Sequence, residues 1–373
     1  MIEVRKVEGK SDLNEFIDFP HKLYYDDNFY VPELYMAQKD LLNKKKHPFF
    51  EHSEADFFLA YKNNRIVGRI AAIKNNNYIQ YTGESVGYFG FFDVIEDYAV
   101  AEKLLDTANE WVSEKKLGYL MGPTNYSTNE TCGVLIDGYN SPPTVLMTYN
   151  KPYYANFLEQ YGFQKEMDLL SYKIKTVDVP DKLIKLSDRI LKRLNDSGIT
   201  IRKVNLKNFK VEIDRIFEVY NKAWEKNWGF VPMTLNEFRH AAKDMKTIVD
   251  PDFLLLAEKG DELVGFSLII PDMNIAFKQM KRGRLLPFGL FKLLYYKSKI
   301  DRVRIVTLGV LQEYRKLGID AYFYTKAFEE AKNKNMEYGE ASWILENNEA
   351  MNKALLNING TVYKKHRLYK KAV

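Results

Sequence analysis

The sequence predicts an α/β fold with a mixed sheet, built as two copies of one domain in tandem. Residues 2–7 (IEVRKV) recur as residues 199–204 (ITIRKV), at an offset of 197. Residues 57–73 and 254–270 match at the same offset. Beyond them, both halves show a strand, a helix, a strand, a second helix and a final strand in the same order. Matches that recur at an offset of about 200 residues and in one order of elements indicate a duplicated unit.

The first recurring element is a β-hairpin. FFLAYKNNRIVGRIAAI (57–73) and LLLAEKGDELVGFSLII (254–270) each contain two apolar runs around a polar turn. Apolar, branched runs that flank a polar turn are typical of paired strands. The identities that align them are Ala60, Lys62, Val67 and Gly68 with Ala257, Lys259, Val264 and Gly265.

The offset changes after the hairpin. Gly90 matches Gly309 and Tyr119 matches Tyr338 at 219, a jump of 22 that predicts an insertion in the second copy between residues 271 and 302. Residues 150–162 then match residues 348–360 at 198. The first copy is therefore predicted to carry its own insertion, around residues 122–147.

Residues 180–198 predict a connecting helix. Its apolar residues recur at helical spacing, and it begins with Pro-Asp and ends in Asp-Ser-Gly, which are helix start and stop signals. The predicted domains are residues 1–175, a degenerate copy, residues 176–198, the connecting helix, and residues 199–373, the copy with the ligand site.

Composition narrows the class of protein. The formal charge of +5 over 373 residues does not require nucleic acid, and the apolar fraction of 46% is that of a globular chain. A single cysteine, Cys132, excludes an intramolecular disulfide, and the scattered histidines predict no metal site. The charged N-terminus and the absence of a long apolar stretch predict a cytoplasmic protein.

A strand-to-helix turn around Arg315 and Gly318 carries the main functional signal. An apolar run, RIVTLGV, leads through a charged turn into an amphipathic helix. The first amides of a helix lack intrahelical acceptors and favour anions, and glycine lets an anion approach them. The turn thus predicts a pyrophosphate site, although spacing alone favours an ordinary helix entry.

The pattern around this turn resembles the GNAT superfamily of acyl-CoA-dependent N-acyltransferases. The resemblance rests on the strand, the V-x-x-x-Y-R-x-x-G-I-x turn, the helix, the next strand and an Asn-initiated helix. It covers both halves and implies a tandem GNAT that uses acetyl-CoA or another acyl-CoA as co-substrate. Asp320 and Lys316 stand where the family commonly has small residues. The implied contacts are Leu308, Gly309 and Val310 with pantetheine, Arg315, Lys316, Leu317, Gly318, Ile319 and Asp320 with pyrophosphate, and Asn348 with the pantetheine arm.

The first copy departs from this pattern. Glu96, Asp97 and Ala99 stand where the 219 offset places Arg315, Lys316 and Gly318. Acidic side chains repel phosphate, so we expect a single acyl-CoA site, in the second copy.

Catalysis in this superfamily requires a base for the attacking amine. Glu340 and Glu346 on the strand after the cofactor helix are the candidates. The alternative is that each is a solvated surface carboxylate without a catalytic role. The family's usual tyrosine acid would fall on Leu355 or Leu356. Tyr363, Tyr324 or water is the expected substitute.

Two segments are candidates for the acceptor site. The loop of residues 122–143 is rich in Asn, Ser, Thr, Gly and Pro and contributes Asn125, Asn129 and Glu130, and a packed surface loop is the alternative. Trp224 and Trp228 lie in the segment that forms one wall of the family's acceptor cleft, and core packing is the alternative there.

The predicted insertion at residues 273–300 combines seven basic residues with a Leu/Phe-rich centre and has no acidic residue. This composition is typical of an interfacial segment, of a lid over an acyl chain, or of a helical excursion packed on its own domain. Pro287 and Gly289 argue against one continuous helix. On the functional interpretation, weak membrane contact or an amphipathic acceptor is expected, and a packed helical excursion stays the alternative.

The sequence predicts an N-acyltransferase, expected to be an N-acetyltransferase, that acts on an amine. Two alternatives stay open: an aminoacyl or peptidyl transferase of the Fem type, and a non-catalytic acyl-CoA-binding protein.

Overall fold

Strands and helices alternate along both halves of the chain in the computed structural model. It describes the backbone of all 373 residues and the side chains of residues 1–180, 185–243 and 245–373. The elements up to residue 175 are β1 (Ile2–Lys6), α1 (Lys10–Leu23), α2 (Tyr35–Leu41), β2 (Glu54–Lys62), β3 (Arg65–Lys74), α3 (Asn76–Thr82), β4 (Val86–Val94), α4 (Tyr98–Glu114), β5 (Tyr119–Gly122), β6 (Val134–Asp137), α5 (Tyr153–Gln160) and β7 (Gln164–Lys175). The elements that follow are α6 (Asp181–Asp196), β8 (Ile199–Lys203), α7 (Phe209–Trp224), α8 (Leu235–Met245), β9 (Leu254–Lys259), β10 (Glu262–Pro271), α9 (Asn274–Phe277), α10 (Gly289–Lys297), β11 (Arg302–Val310), α11 (Ile319–Asn333), β12 (Tyr338–Leu345), α12 (Glu349–Asn357) and β13 (Thr361–Ala372).

The chain packs as two units. Unit 1 comprises Met1–Leu169, Asn274–Ser298 and Lys364–Val373, and unit 2 comprises Leu170–Met273 and Lys299–Tyr363. These units are defined by packing, whereas the predicted domains 1–175, 176–198 and 199–373 are defined by the repeat. The predicted domain limits therefore stay a prediction.

The sheet of unit 1 begins with an antiparallel series, β1, β2, β3 and β4. β5 then lies parallel to β4, and β13 lies antiparallel to both β5 and β6. α4 packs on this sheet through fully buried residues such as Leu104 and Leu105. Its apolar residues recur every three to four positions because only one face of the helix is buried.

Unit 2 repeats the same strand order. β8, β9, β10 and β11 are antiparallel neighbours, and β12 lies parallel to β11. α7 buries Ile213 and Ile216 on the sheet, and α11 buries Phe323 and Phe328. The predicted α/β fold with a mixed sheet is confirmed.

Strand register corrects one part of the predicted alignment. Gly68 pairs with Val94 and Gly265 pairs with Val310, so β4 and β11 correspond at an offset of 216 (310 minus 94). The predicted match of Gly90 with Gly309, at an offset of 219, is therefore wrong for these two strands. The helices that follow end at residues 114 and 333, an offset of 219. Between the end of the strand and the end of the helix, the second copy thus has three extra residues.

Both long insertions are present. α9 and α10 lie between β10 and β11, and the stretch that separates them contains only a short 3-10 turn (Lys281–Gly283), which confirms that residues 273–300 form no continuous helix. The predicted connecting helix appears as α6. Ile190 and Leu194 of α6 pack with Phe323 of α11, so α6 belongs to the core of unit 2.

Candidate active site

β11 and β12 pair along only part of their length. Residues 302–305 of β11 are in register with residues 338–341 of β12, whereas β11 stays paired with β10 as far as Val310. Beyond Ile305 the two parallel strands therefore separate. The β10–β11 register shifts at the same point and leaves Val306 as an extra residue. Such bulges bend a strand and are frequent next to active sites. The result is a wedge-shaped opening between β11 and β12.

The backbone groups on the open side of β11 point away from β10. The Leu311 N–H donates to the Val264 carbonyl, and hydrogen-bonded pairs alternate in an antiparallel ladder. Residues 307 and 309 consequently face β10, while Leu308 and Val310 turn their backbone groups towards the opening. These are the two residues expected to hold a pantetheine arm by backbone hydrogen bonds.

The turn after β11 leads to the uncapped start of a helix. Residues 312–317 form a 3-10 turn, and Gly318 precedes α11 with φ of +91°. Among the described residues, no side chain bonds to the first-turn amides of α11. A Cβ at Gly318 would meet Ile190 Cγ2 at 3.7 Å as its nearest neighbour, so the space in front of these amides is open. This geometry suits a phosphate group.

Two guanidinium groups fix this turn. Arg315 donates from Nη2 to the Ala223 carbonyl at 2.7 Å and from Nε to the Val310 carbonyl at 3.1 Å. Arg193 of α6 donates from Nη2 to the Lys316 carbonyl at 3.3 Å. Arg315 therefore holds the backbone of the turn in addition to placing positive charge there.

Sequence reasoning missed Arg193 because α6 looked like a connector. Lys185, Arg189 and Arg193 recur every four residues in α6, and this spacing aligns them on one helix face. That basic stripe was the available signal. Lys316 and Asp320 are exposed, so solvent screens the repulsion between the Asp320 carboxylate and a bound anion.

Two of the three predicted catalytic residues contact each other. The Tyr363 hydroxyl donates to Glu340 Oε2, and Glu340 is 0% exposed. Burial, followed by the charge of Glu340, raises the pKa of Tyr363 far above its usual range, so the phenol keeps its proton. Glu340 Oε1 has no partner among the described residues. A buried carboxylate oxygen without a partner is costly, and such groups are typical of functional sites.

A second polar atom without a partner lies on the opposite strand. Thr307 follows the bulge on β11, and its hydroxyl is buried and unpaired among the side chains that the structure describes. Arg304, 4% exposed, is the register partner of Glu340 and donates from Nε to the Ser342 hydroxyl at 2.8 Å. Sequence reasoning missed Thr307 because a threonine within a strand is ordinary.

The other predicted polar residues of unit 2 lie around α12. Glu346 lies half-buried just before it, and Asn348 caps it by accepting a hydrogen bond from the Met351 N–H at 3.2 Å. Leu355 is buried and Leu356 is exposed, and neither hydrocarbon side chain has a proton to donate. The hydroxyl of Tyr324 donates to Met351 Sδ at 3.2 Å, and burial raises the pKa of that phenol well above its usual range.

Trp224 packs directly over β11. A Cβ at Gly309 would lie 2.4 Å from two atoms of the Trp224 indole, so only glycine fits beneath this ring. Trp224 also contacts Tyr220 and Phe266, which gives it a packing role. Trp228 is half-buried in the loop after α7.

The corresponding opening in unit 1 is closed by its own loop. The Thr124 N–H donates to the Phe89 carbonyl at 2.8 Å, and the Phe91 N–H donates to Asn125 Oδ1 at 2.8 Å. A Cβ at Gly90 would lie only 1.8 Å from the Thr124 carbonyl oxygen. Asn125 therefore fills the space beside β4, and its Nδ2 bonds to Thr131.

The first-turn amides of α4, the helix after β4, also have an acceptor within the chain. Asp97 caps α4 by accepting from the Ala99 N–H at 3.2 Å, and it pairs with Lys62 at 2.6 Å. That hydrogen bond to Lys62 is the main reason that the pKa of Asp97 is lowered. The carboxylate takes the place that an external anion would need.

A buried ion pair lies beside the closed opening of unit 1. Arg69 and Asp93 are each 8% exposed and approach to 2.8 Å, and the hydroxyls of Tyr24 and Tyr154 donate to the same carboxylate. Polar groups that are satisfied in this way stabilise a folded interior and leave no room for a ligand arm.

The predicted acceptor residues of the 122–143 loop lie in unit 1. Glu130 Oε2 accepts from both the N–H and the hydroxyl of Ser127, at 3.0 and 2.6 Å, and the Asn129 N–H donates to the Ser127 hydroxyl at 3.0 Å. Lys364 is 1% exposed and donates to the carbonyls of Gly138 and Ser141. The loop is thus a rigid, internally bonded structure.

A concavity of about 730 Å³ in unit 2 lies apart from β11 and β12 and is lined by residues 202–208 among others. Its charged residues Arg202 and Glu212 already pair with each other at 2.7 Å. Because these charged groups are already paired, we interpret the concavity as a site of structural ion pairing and not of ligand binding. Within the described part of the chain, no helix is both long and apolar enough to cross a membrane.

The whole chain is similar to two curated bacterial proteins. It is 34% identical over 380 residues to the bacterial ceramide synthase of Caulobacter vibrioides, with 100% of this chain and 98% of that protein aligned. It is 33% identical over 378 residues to protein YghO of Escherichia coli, with 99% and 95% aligned. No protein-family model matches the sequence.

Solved structures share the fold at low sequence identity. A tandem GNAT protein from the clavulanic acid biosynthesis pathway superposes with a TM-score of 0.57 at 10% identity, covering 100% of this chain and 98% of that one. A GCN5-related N-acetyltransferase from Sphaerobacter thermophilus gives a TM-score of 0.52 at 12% identity, covering 100% and 95%.

Proposed function

Because the chain belongs to the family of the bacterial ceramide synthase and protein YghO and has the fold of a tandem GNAT protein, we propose that it N-acylates a long-chain amine with an acyl-CoA. A ceramide is the amide of a fatty acid and a long-chain amino alcohol, so the acceptor class would be a sphingoid-type base. The observation that carries the proposal is the identity to the ceramide synthase along the entire chain.

The open wedge supports binding of the acyl-CoA in unit 2. The uncapped first turn of α11 would hold the pyrophosphate, with Arg193 and Arg315 supplying positive charge. The backbone groups of Leu308 and Val310 would hold the pantetheine arm. The filled wedge of unit 1 supports one acyl-CoA site per chain.

Glu340 is the proposed base. The amine nitrogen attacks the thioester carbonyl, a C–N bond forms, the C–S bond breaks, and Glu340 accepts the proton that the nitrogen loses. The departing thiolate has the low basicity of a thiol group and takes its proton from solvent. Tyr363 retains its own proton and orients the carboxylate by donating to Oε2. Glu340 is therefore the base, and Tyr363 is the residue that positions it.

The test is product formation by the purified protein. Acetyl-CoA and long-chain acyl-CoAs are each incubated with a sphingoid-type base, and mass spectrometry detects the N-acyl product while a thiol reagent detects released coenzyme A. The relative favours a fatty acyl donor, and acetyl transfer is the competing form of the same reaction.

Glu340→Gln keeps an acceptor for the Tyr363 hydroxyl but cannot take a proton. We expect it to lower kcat by about 100-fold or more while acyl-CoA binding is kept. Glu346→Gln is the matched control and should retain activity. Acyl-CoA binding without any product would indicate a binding protein, and transfer only from aminoacyl-tRNA would indicate a Fem-type enzyme. Either result rejects the proposal.

A further inference from the structure

Residues 274–298 form an excursion between β10 and β11 that packs within unit 1. It contains six basic residues and no acidic one. The basic residues are Lys278, Lys281, Arg282, Arg284, Lys292 and Lys297. Its centre, LLPFGLFKLLYY at residues 285–296, is almost entirely apolar.

The base of this excursion is fixed to unit 1. Gly283 has φ of +62°, and a Cβ there would lie 1.8 Å from the Glu33 carbonyl oxygen, so the backbones are in close contact. Arg284 pairs with Asp18 at 3.4 Å and lies 4.0 Å from the centre of the Tyr35 ring. Lys292 Nζ donates a hydrogen bond to the Gln279 carbonyl at 2.9 Å. The excursion is therefore held in one orientation.

The apolar side chains of α10 and the segment before it face solvent. In α10 the inward positions are Gly289, Leu293 and Tyr296, which are buried or half-buried. The outward large side chains are Leu286 at 79% exposure, Phe288 at 70%, Leu290 at 44%, Phe291 at 70%, Leu294 at 62% and Tyr295 at 61%. We call these six the apolar face. Exposed clusters of this kind mark interaction or membrane sites.

We propose that the apolar face inserts into the surface of an anionic lipid bilayer. Cations before, within and after it would meet anionic headgroups while the Leu and Phe side chains enter the acyl boundary. Nine residues of α10 extend only about 13 Å, so the helix lies in the interface and does not cross it. The absence of acidic residues matches an anionic surface. The inference rests on the proposed function, since long-chain amines reside in bilayers.

Vesicle co-sedimentation tests this with the full chain and without turnover. The protein is mixed with phosphatidylcholine vesicles with or without phosphatidylglycerol, at low and high salt. We expect sedimentation to rise with phosphatidylglycerol and to fall with salt. The variant Leu286→Ser/Phe288→Ser/Phe291→Ser should weaken binding by about tenfold or more, because it removes three exposed apolar anchors.

Two further variants separate charge from folding. Lys278→Glu/Lys281→Glu reverses two exposed cations, leaves the Arg284–Asp18 pair intact, and should weaken binding by about tenfold. Val177→Ser/Val211→Ser changes two valines of 87% and 62% exposure outside the excursion and should bind like the wild type. Thermal denaturation confirms that each variant is folded.

Several results would overturn the inference. These are no sedimentation of the wild type, equal sedimentation with neutral vesicles, or undiminished binding of the serine variant. Sedimentation equilibrium showing a wild-type dimer that the serine variant abolishes, without vesicle binding, would assign the apolar face to a second copy. Because the assay reads binding alone, its failure leaves acylation of a micellar amine as an independent test of the proposed function.

Discussion

Replacing Gly318 by Glu tests the pyrophosphate site most directly. A carboxylate at this position would stand in front of the α11 amides that the phosphates need, where no described side chain now caps them. Two unit charges 4 Å apart repel by about 1 kcal/mol in bulk water and about 4 kcal/mol near a protein surface. The new carboxylate would also bond to the same amides and compete with the ligand. We therefore expect the Kd for coenzyme A to rise at least about 100-fold.

Strain must be separated from charge in this experiment. Gly318 has φ of +91°, and a residue with a side chain in the left-handed region costs about 1–2 kcal/mol. Gly318→Ala carries that strain without charge, and Ile190 at 3.7 Å leaves space for its Cβ. We expect Gly318→Ala to lower the Tm while the Kd changes by less than about fivefold.

Calorimetric titration with coenzyme A gives both affinity and stoichiometry. Ala99→Glu is the matched control, since Ala99 is an exposed residue in the first turn of α4 in unit 1. The Ala99→Glu variant should bind coenzyme A with the Kd of the wild type and at one site per chain. The reasoning fails if a folded Gly318→Glu protein binds normally, if Ala99→Glu loses binding equally, or if two sites titrate.

Three further predictions concern packing, the 122–143 loop and pH. Gly309→Ala should cost about 1–3 kcal/mol of stability because its Cβ would overlap the Trp224 ring, and a double-mutant cycle with Trp224→Ala should show a strongly non-additive cost. Asn129→Ala/Glu130→Ala should lower turnover without weakening acyl-CoA binding, and unchanged kinetics would assign the loop a purely structural role. Burial, with Arg69 as a lesser cause, lowers the pKa of His21 from 6.5 to about 4, so the unfolded chain gains a proton first as the pH falls. About 3 kcal/mol of stability should be lost between pH 6.5 and 4, and denaturant titrations of His21→Gln should lack this part of the loss.

Much of the fold was predictable because both copies keep the residues that shape it. The paired glycines Gly68 and Gly265 identify the hairpins, and Gly318 identifies the turn before α11. The error at Gly90 arose because identity favours matching glycine with Gly309. The strand register instead aligns Gly90, the partner of Ala71, with Thr307, the partner of Leu268. Three extra residues then lie between the end of β11 and the end of α11. Short apolar strands do not encode their register strongly enough to reveal this.

The site was predictable in composition and not in geometry. Glu340 and Tyr363 were both candidates, but their contact depends on where the fold places β12 and the start of β13, which no local pattern specifies. Asn125 looked like an acceptor residue because it lies in a polar loop. Its side chain instead bonds to the Phe91 backbone, which only the three-dimensional path of the loop reveals.

The last strand carries a consequence for synthesis. Residues 364–372 of β13 belong to unit 1, where they pair with β5 and β6, and the N–H of the following Val373 donates to the Gly118 carbonyl. Nearly 200 residues separate them from Leu169 in the chain. At ribosomal speeds this interval lasts about 10 to 40 s. During that time β5 is an exposed strand edge of the kind that pairs with other chains. The nascent protein is therefore most vulnerable to aggregation after its first half has been made, and slow translation of the second half would prolong that state.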